Sequence, residues 1–331
     1  MADAGDIEDT AVRVLTELMP YRRSHAALTP ADRTLIDAVQ LPVLRRQIAT
    51  GGALQMLIPA FPVKSPSPRK VLGILPDLGE RLALSFLNSL CERLRLVHPP
   101  GARLLICSDG HVFGPAVGVT DATIDLYQSH IERMIAQVGG TCLRTFSLAQ
   151  CDHLPAAAEG CYEGTRQALL LRHGLPLDVV RARLLASEEG VRQFTGVLRF
   201  MREDRQHLDG ALSRTAAQRM ARELAYAVIQ RSWAWGELLA ERFPDAIRLS
   251  IHPQPPDSIK FGIHLLPTRN DWMTPWHGVV ATDGDSFELM KRHEAEALGG
   301  RIVDVEGHPS HVAVPTLSTR AERPTPDARI R

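Results

Sequence analysis

The segment LPDLGERLALSFLNSLCERLRLVHPPGARLLICSDG, residues 75–110, decides the fold. Leu78, Leu82, Phe86, Leu90 and Leu94 recur every fourth residue, which places them along one face of a helix. Asp77 and Glu80 stand at its start with the spacing of a capping box, where each side chain satisfies a backbone N–H of the other's turn. The run ARLLIC, 102–107, is apolar but for Arg103 and of strand length, the pattern of a buried strand, and it opens at once into the polar turn Ser108-Asp109-Gly110. Residues 121–138 then predict an amphipathic helix, Gly139-Gly140 its end, and TCLRTFS, 141–147, the next strand. Strand, helix, strand at this spacing is a βαβ unit, which requires a mostly parallel sheet.

Upstream, residues 8–19 and 31–49 read as helices, the second with Thr29 or Thr34 near its start and Gly51-Gly52 as its stop. ALQMLIPAFP, 53–62, is a short apolar run ended by prolines. KSPSPRK, 64–70, follows with three basic residues, no acid, and prolines that forbid a helix. Downstream, 152–243 is helical with breaks at Pro176, near Gly190 and around Gly210. AIRLSIH, KFGIHLL and HGVVAT are strand-like, and a helix at 286–298 and a last strand at 301–305 complete the pattern. The fold class is α/β: a Rossmann-like, mostly parallel sheet with a largely helical middle insertion and a C-terminal mixed or antiparallel strand region. One domain is expected over 1–316, with N-terminal helices at 8–49, an α/β core at 53–150, the helical region at 152–243 and C-terminal strands at 246–305. Residues 317–331 are polar and without period, a disordered tail.

Hydrophobic residues make up 44% and charged residues 23% of the 331, the proportions of a globular protein. Lys+Arg and Asp+Glu are both 38, and no stretch is basic enough to follow a phosphate backbone, which argues against nucleic acid. The acidic start, MADAGDIEDTAVRVL, is unlike a secretory signal, and no run reaches the roughly 18–20 apolar residues of a membrane span, so a cytoplasmic protein is expected. Five cysteines without CxxC spacing suggest neither a disulfide framework nor a thiolate zinc site. GxGxxG after a strand, GxxxxGK[ST], GxSxG and the EF-hand loop are all missing.

Three groups of residues have chemistry to offer. Ser108, Asp109 and Gly110 follow a strand's carboxyl end, where open α/β sheets bind ligands, although an Asx turn explains them equally well. Lys64, Ser65, Arg69 and Lys70 on a proline-stiffened loop suit a clamp for phosphate or carboxylate, although such a loop is also at home in solvent. Only four of the 38 basic residues are lysine (Lys64, Lys70, Lys260 and Lys291), so each invites a question. His252, His264 and His277 lie within or beside predicted strands. Their spacing matches no metal motif, and His264 or His277 suits a general acid or base.

Together these segments resemble the isocyanide (isonitrile) synthases of the PvcA type, grouped with pyoverdine and dityrosine biosynthesis proteins. The matching stretches are FPVKSPSPRKVLGILPDLGE (61–80), LNSLCERL (87–94), PPGARLLICSDGHVF (99–113), IRLSIHPQPPDSIKFGIHLL (247–266) and MTPWHGVV (273–280). His111 departs from the family, which more often has arginine there. The resemblance implies an enzyme joining the amino group of L-tyrosine, or of L-tryptophan, to the C2 carbonyl carbon of ribulose 5-phosphate, that carbon becoming the isonitrile carbon. It implies no metal or nucleotide cofactor and a downstream iron/2-oxoglutarate oxygenase. The fungal dityrosine relatives instead formylate tyrosine, and an amino-acid or sugar-phosphate binding protein without turnover is the alternative of another class. Mapped onto this chemistry, Asp109, Lys260, His264 and His277 are the expected proton carriers, and Lys64, Ser65, Arg69, Lys70, Ser108, Gly110 and His252 the expected substrate contacts.

Overall fold

A computed structural model describes residues 3–24, 27–155, 160–206, 210, 212–270 and 272–317. The apolar run after Gly51-Gly52 is β1 (Leu54–Pro59), and the helices before it are α1 (Ala4–Leu18) and α2 (Pro30–Ala49), the latter capped by Thr29. Next come α3 (Leu78–Val97), β2 (Ala102–Ser108), α4 (Gly110–Val117), α5 (Asp121–Gln137) and β3 (Leu143–Ser147). The helical middle is α6 (Glu163–His173), α7 (Leu177–Leu185), α8 (Glu188–Arg205) and α9 (Arg214–Arg242). The break expected near Gly190 falls at Ala186-Ser187, where the Ser187 hydroxyl accepts the Gly190 N–H as the N-cap of α8.

β4 (Ile247–Ser250) and β5 (Lys260–Gly262) then return to the first sheet, whose order is β3-β2-β1-β4-β5 with every pair parallel. The chain builds β2 and β3 on one side of β1 and β4 and β5 on the other, so the strand order reverses beside β1. That reversal opens a crevice beyond the carboxyl ends of β1 and β4. One face of the sheet, with Met56, Ile58, Leu104, Ile106, Leu249 and Phe261, packs on α1 to α3. The other face places Leu57, Cys107 and Phe146 against Trp235, Leu238 and Leu239 of α9.

The second sheet is mixed. β6 (Val279–Thr282) pairs antiparallel with β7 (Phe287–Met290), β8 (Arg301–Val305) pairs antiparallel with β9 (His308–Ala313), and β6 runs parallel to β9. The helix expected over 286–298 is therefore half strand: only α10 (Arg292–Ala297) is helical. Asp283 causes the difference. Its carboxylate accepts from the N–H groups of Asp285 and Ser286, and with Gly284 at φ 96° it closes a hairpin that carries Phe287–Met290 back along β6. Those bonds, with one from the Leu317 N–H, hold Asp283 down at about 2. Leu317, placed in the tail by its sequence, is thus anchored and buried, and residues 318–331 lie outside the described residues. No described helix is long and apolar enough to cross a membrane.

Where β1 ends, Phe61 adopts φ 54°, a left-handed conformation uncommon for a bulky residue. It turns its carbonyl oxygen to the Ser108 hydroxyl (3.1 Å) and to Gln128 Nε2 (2.7 Å). The adjoining Pro62 carbonyl occupies the space beside Gly110: a Cβ there would lie 2.3 Å from the Pro62 oxygen and 2.8 Å from Ile124 Cγ2. Gly110→Ala is expected to cost about 1–3 kcal/mol, the range for overpacking a tight interior, measured as a loss in denaturant midpoint.

Candidate active site

The KSPSPRK loop leaves β1 and crosses the crevice, and its two lysines turn inward. Lys64 Nζ is fully buried and gives its three N–H groups to Asp77 Oδ2 (2.7 Å), Glu80 Oε2 (2.8 Å) and the Pro275 carbonyl (3.1 Å). Asp77 and Glu80 are the capping box of α3, so one arrangement caps a helix and holds a cation. Tyr127 of α5 donates to Glu80 Oε1 at 3.1 Å and completes the set. Burial opposes the charge on Lys64, yet the two carboxylates raise it above the usual lysine range. Burial and Glu80 push Asp77 up, to about 8, against the pull of Lys64.

Lys70 is buried as well. It pairs with Asp204 and, at 3.2 Å, with Glu203 at the end of α8, and lies over the Phe200 ring. Lys291 pairs with the same Glu203 at 3.0 Å, and despite burial the two lysines hold that carboxyl at about 2. Ser65 is buried beside Asp204, and its hydroxyl accepts the Ser67 N–H. The carbonyls of Arg69 and Lys70 receive the first N–H groups of α10 from His293 and Arg292. Among the loop's basic residues, Arg69 alone is exposed. A loop whose sequence suits an anion clamp therefore spends Lys64 and Lys70 on internal carboxylates and ties α3, α8 and α10 to the first sheet.

Ser108 is likewise committed, buried between the Phe61 carbonyl and Gln128, and Gly110 makes room for backbone rather than ligand. Asp109 differs. It stands at the carboxyl end of β2 as the N-cap of α4 without a capping bond, partly open to solvent, and burial raises its carboxyl to about 7. His252, just past β4, is exposed, yet enclosing protein and then Arg23 and Lys260 pull its imidazole down to about 4. His277 sits in the short 3-10 turn Pro275–His277, its Nδ1 2.9 Å from the Thr274 hydroxyl and its ring 4.7 Å from Phe200. Burial, Lys70, His252 and Lys64 depress it well below the usual histidine range. These side chains meet beyond the carboxyl ends of β1 and β4, a region termed the recess: Lys260 acts on His252, and Lys70 and His252 act on His277. Trp272, 5.2 Å from the His252 ring, also lines a hollow of about 580 Å³ that reaches Glu288, Glu294 and Leu317 of the second sheet region.

His264 follows β5, with its N–H donating to the Tyr21 carbonyl at 2.9 Å. Among the described residues no three His, Cys, Asp or Glu side chains are arranged to hold a metal ion. His111 stacks on Tyr162 with centroids 3.7 Å apart, its Nε2 3.0 Å from Asp125. Arg23, Arg248 and Phe200 border the recess without standing out in the sequence. The signal for Arg248 is there nonetheless: in AIRLSIH the apolar Ile247 and Leu249 alternate with Arg248 and Ser250.

At the carboxyl edge of the parallel sheet the chain thus carries a carboxyl raised to about 7 and, past β4 and before β6, two imidazoles held below their usual range, side chains of the types that move protons. Residues 44–303 match the family model described as pyoverdine/dityrosine biosynthesis protein, and the chain belongs to that family. It is 49% identical to an L-tyrosine isonitrile synthase of Pseudomonas aeruginosa, covering 95% of this chain and 97% of the relative. It is 39% identical to an L-tryptophan isonitrile synthase of Fischerella ambigua, covering 91% of each. The crystal structure of the PvcA protein from Pseudomonas aeruginosa superposes with a TM-score of 0.88 at 49% identity over 92% of this chain and 100% of that one.

Two outcomes follow from the site. Lys64→Met strands two buried carboxylates and is expected to cost about 3–5 kcal/mol in denaturant unfolding, the range for breaking a buried pair by removing one partner. Asp109, at the carboxyl end of β2, is the carboxyl whose ionisation falls near neutrality. Its carboxyl, about 3.9 when unfolded, is raised on folding, so its contribution to stability is full below pH 4 and lost as the pH rises through about 7. Asp109→Asn should remove an ionisation near 7 from the pH profile of kcat/KM and flatten the fall in stability between pH 4 and 7; a wild-type-like profile in the variant refutes the assignment.

Proposed function

We propose that this protein is an isonitrile synthase that converts the amino group of L-tyrosine to an isonitrile, taking the carbon from ribulose 5-phosphate. The observation that carries this reading is similarity over nearly the whole chain to a relative named for tyrosine, at 49% against 39% for one named for tryptophan. The recess suits the chemistry. Amine addition to a ketone, loss of water to an imine and fragmentation of the sugar each move a proton, and a carboxyl near 7 is matched to giving and taking it at neutral pH. His252 and His277, kept neutral, offer hydrogen bonds to hydroxyl and carbonyl groups without adding charge. The reading places the enzyme in the cytoplasm and its product with an iron/2-oxoglutarate oxygenase.

Purified protein given tyrosine and ribulose 5-phosphate is expected to form the isonitrile, read by its infrared band and product mass, which also separates it from formyltyrosine. With tyrosine, tryptophan and phenylalanine at equal concentration the tyrosine product should dominate. A pocket group bonded to the phenol is stranded by phenylalanine at a cost of about 1–3 kcal/mol, so phenylalanine should lose by roughly 10- to 100-fold. A dominant tryptophan product overturns the choice of substrate.

A further inference from the structure

β4 and β5 carry charge on the face that elsewhere packs against α9. Arg248 and Lys260 are register partners on adjacent parallel strands, so their side chains leave the sheet side by side; Leu57, the partner of Arg248 on β1, shows that this is the α9 face. Like charges at facing positions repel. Burial, and for Lys260 then Arg248, draws both below their ordinary ranges. Among the described residues neither has a carboxylate within ion-pair distance. Glu237, exposed on α9, is the carboxylate whose field reaches both. Arg248 Nη2 donates to the Gly236 carbonyl at 3.0 Å, its buried Nε has no partner, and Lys260 Nζ makes no hydrogen bond to any described residue. The buried lysines are treated otherwise: Lys64 has two carboxylates and Lys70 two, whereas Arg22, like Arg248, is met by carbonyl oxygens. An uncompensated pair of cations, enclosed and next to His252, is a place prepared for an anion that the protein itself does not supply.

We propose that Arg248 and Lys260 form the anion subsite of the recess and hold the phosphate group of the sugar-phosphate co-substrate. This assignment rests on the isonitrile synthase reading above. A phosphate monoester carries about −1.5 to −2 near neutrality and so answers both cations, where a carboxylate answers one. The guanidinium fork suits two phosphate oxygens and the ammonium a third. The KSPSPRK lysines, already neutralised, are not needed for the task.

Inorganic phosphate is the binding probe and ribulose 5-phosphate the turnover probe. Calorimetric titration of phosphate into the full chain should show binding that weakens roughly 10- to 100-fold in Lys260→Met and in Arg248→Lys, which loses the fork, while Lys260→Arg stays near wild type. In turnover the KM for ribulose 5-phosphate should rise in the same proportion and that for tyrosine stay unchanged, with thermal melts of each variant confirming the fold. Phosphate that does not bind the wild type, or binds folded variants equally well, overturns the proposal. A rise in the KM for tyrosine alone gives the pair to the amino-acid carboxylate and overturns the phosphate assignment. Phosphate binding that depends on the pair, in a protein that forms no isonitrile, upholds the subsite as an anion site and removes the reading on which its occupant was chosen.

Discussion

Everything around the recess depends on one buried cation. Lys64 is taken out of water, and only the simultaneous presence of Asp77, Glu80 and the Pro275 carbonyl makes that tolerable. The partners come from two elements and a third stands behind them, so meeting the lysine's needs brings the start of α3, the turn before β6 and, through Tyr127, α5 to the same point beyond β1. The cation is thus a constraint on assembly, because no subset of those elements satisfies it alone. Lys70 repeats the device toward α8, and between them the two lysines bind the helical middle and the second sheet to the parallel core.

The parallel sheet was legible because its strands are short apolar runs at fixed distances from capped helices, and the Asp77/Glu80 capping box stands where its spacing places it. Legibility failed where one residue serves two purposes. Asp77 and Glu80 read as a cap, but nothing in their spacing says that they also await Lys64. A cationic loop with no acid of its own reads as a clamp for a ligand, because the carboxylates that neutralise it are far away in sequence, Asp204 being 134 residues from Lys70. The strand Phe287–Met290 was hidden by helix-forming neighbours, and a two-stranded pairing closed by Asp283 overrode them.

In the site the sequence marks chemical types and the fold decides which of them remain available. Asp109, His252, His277 and Lys260 keep open surface or unpaired polar atoms at the recess, while Lys64, Ser108 and Gly110 are consumed by the scaffold. Arg248 shows the reverse case. On a strand its alternation with leucine and isoleucine looks like an ordinary solvent-facing position, and only the placement of α9 over that face makes it a half-buried charge.

The distribution of lysine has a consequence for covalent labelling. Of four side-chain amines, Lys64, Lys70 and Lys291 are engaged by carboxylates, two of them deep inside the protein. Among the described residues Lys260 alone is without such a partner, and burial and Arg248 lower its pKa from the ordinary lysine value. A protein of this size ordinarily offers acylating and aldehyde reagents a crowd of interchangeable surface amines; here three of the four lysine nitrogens are held in ion pairs, and the fourth is the one such a reagent meets unpaired.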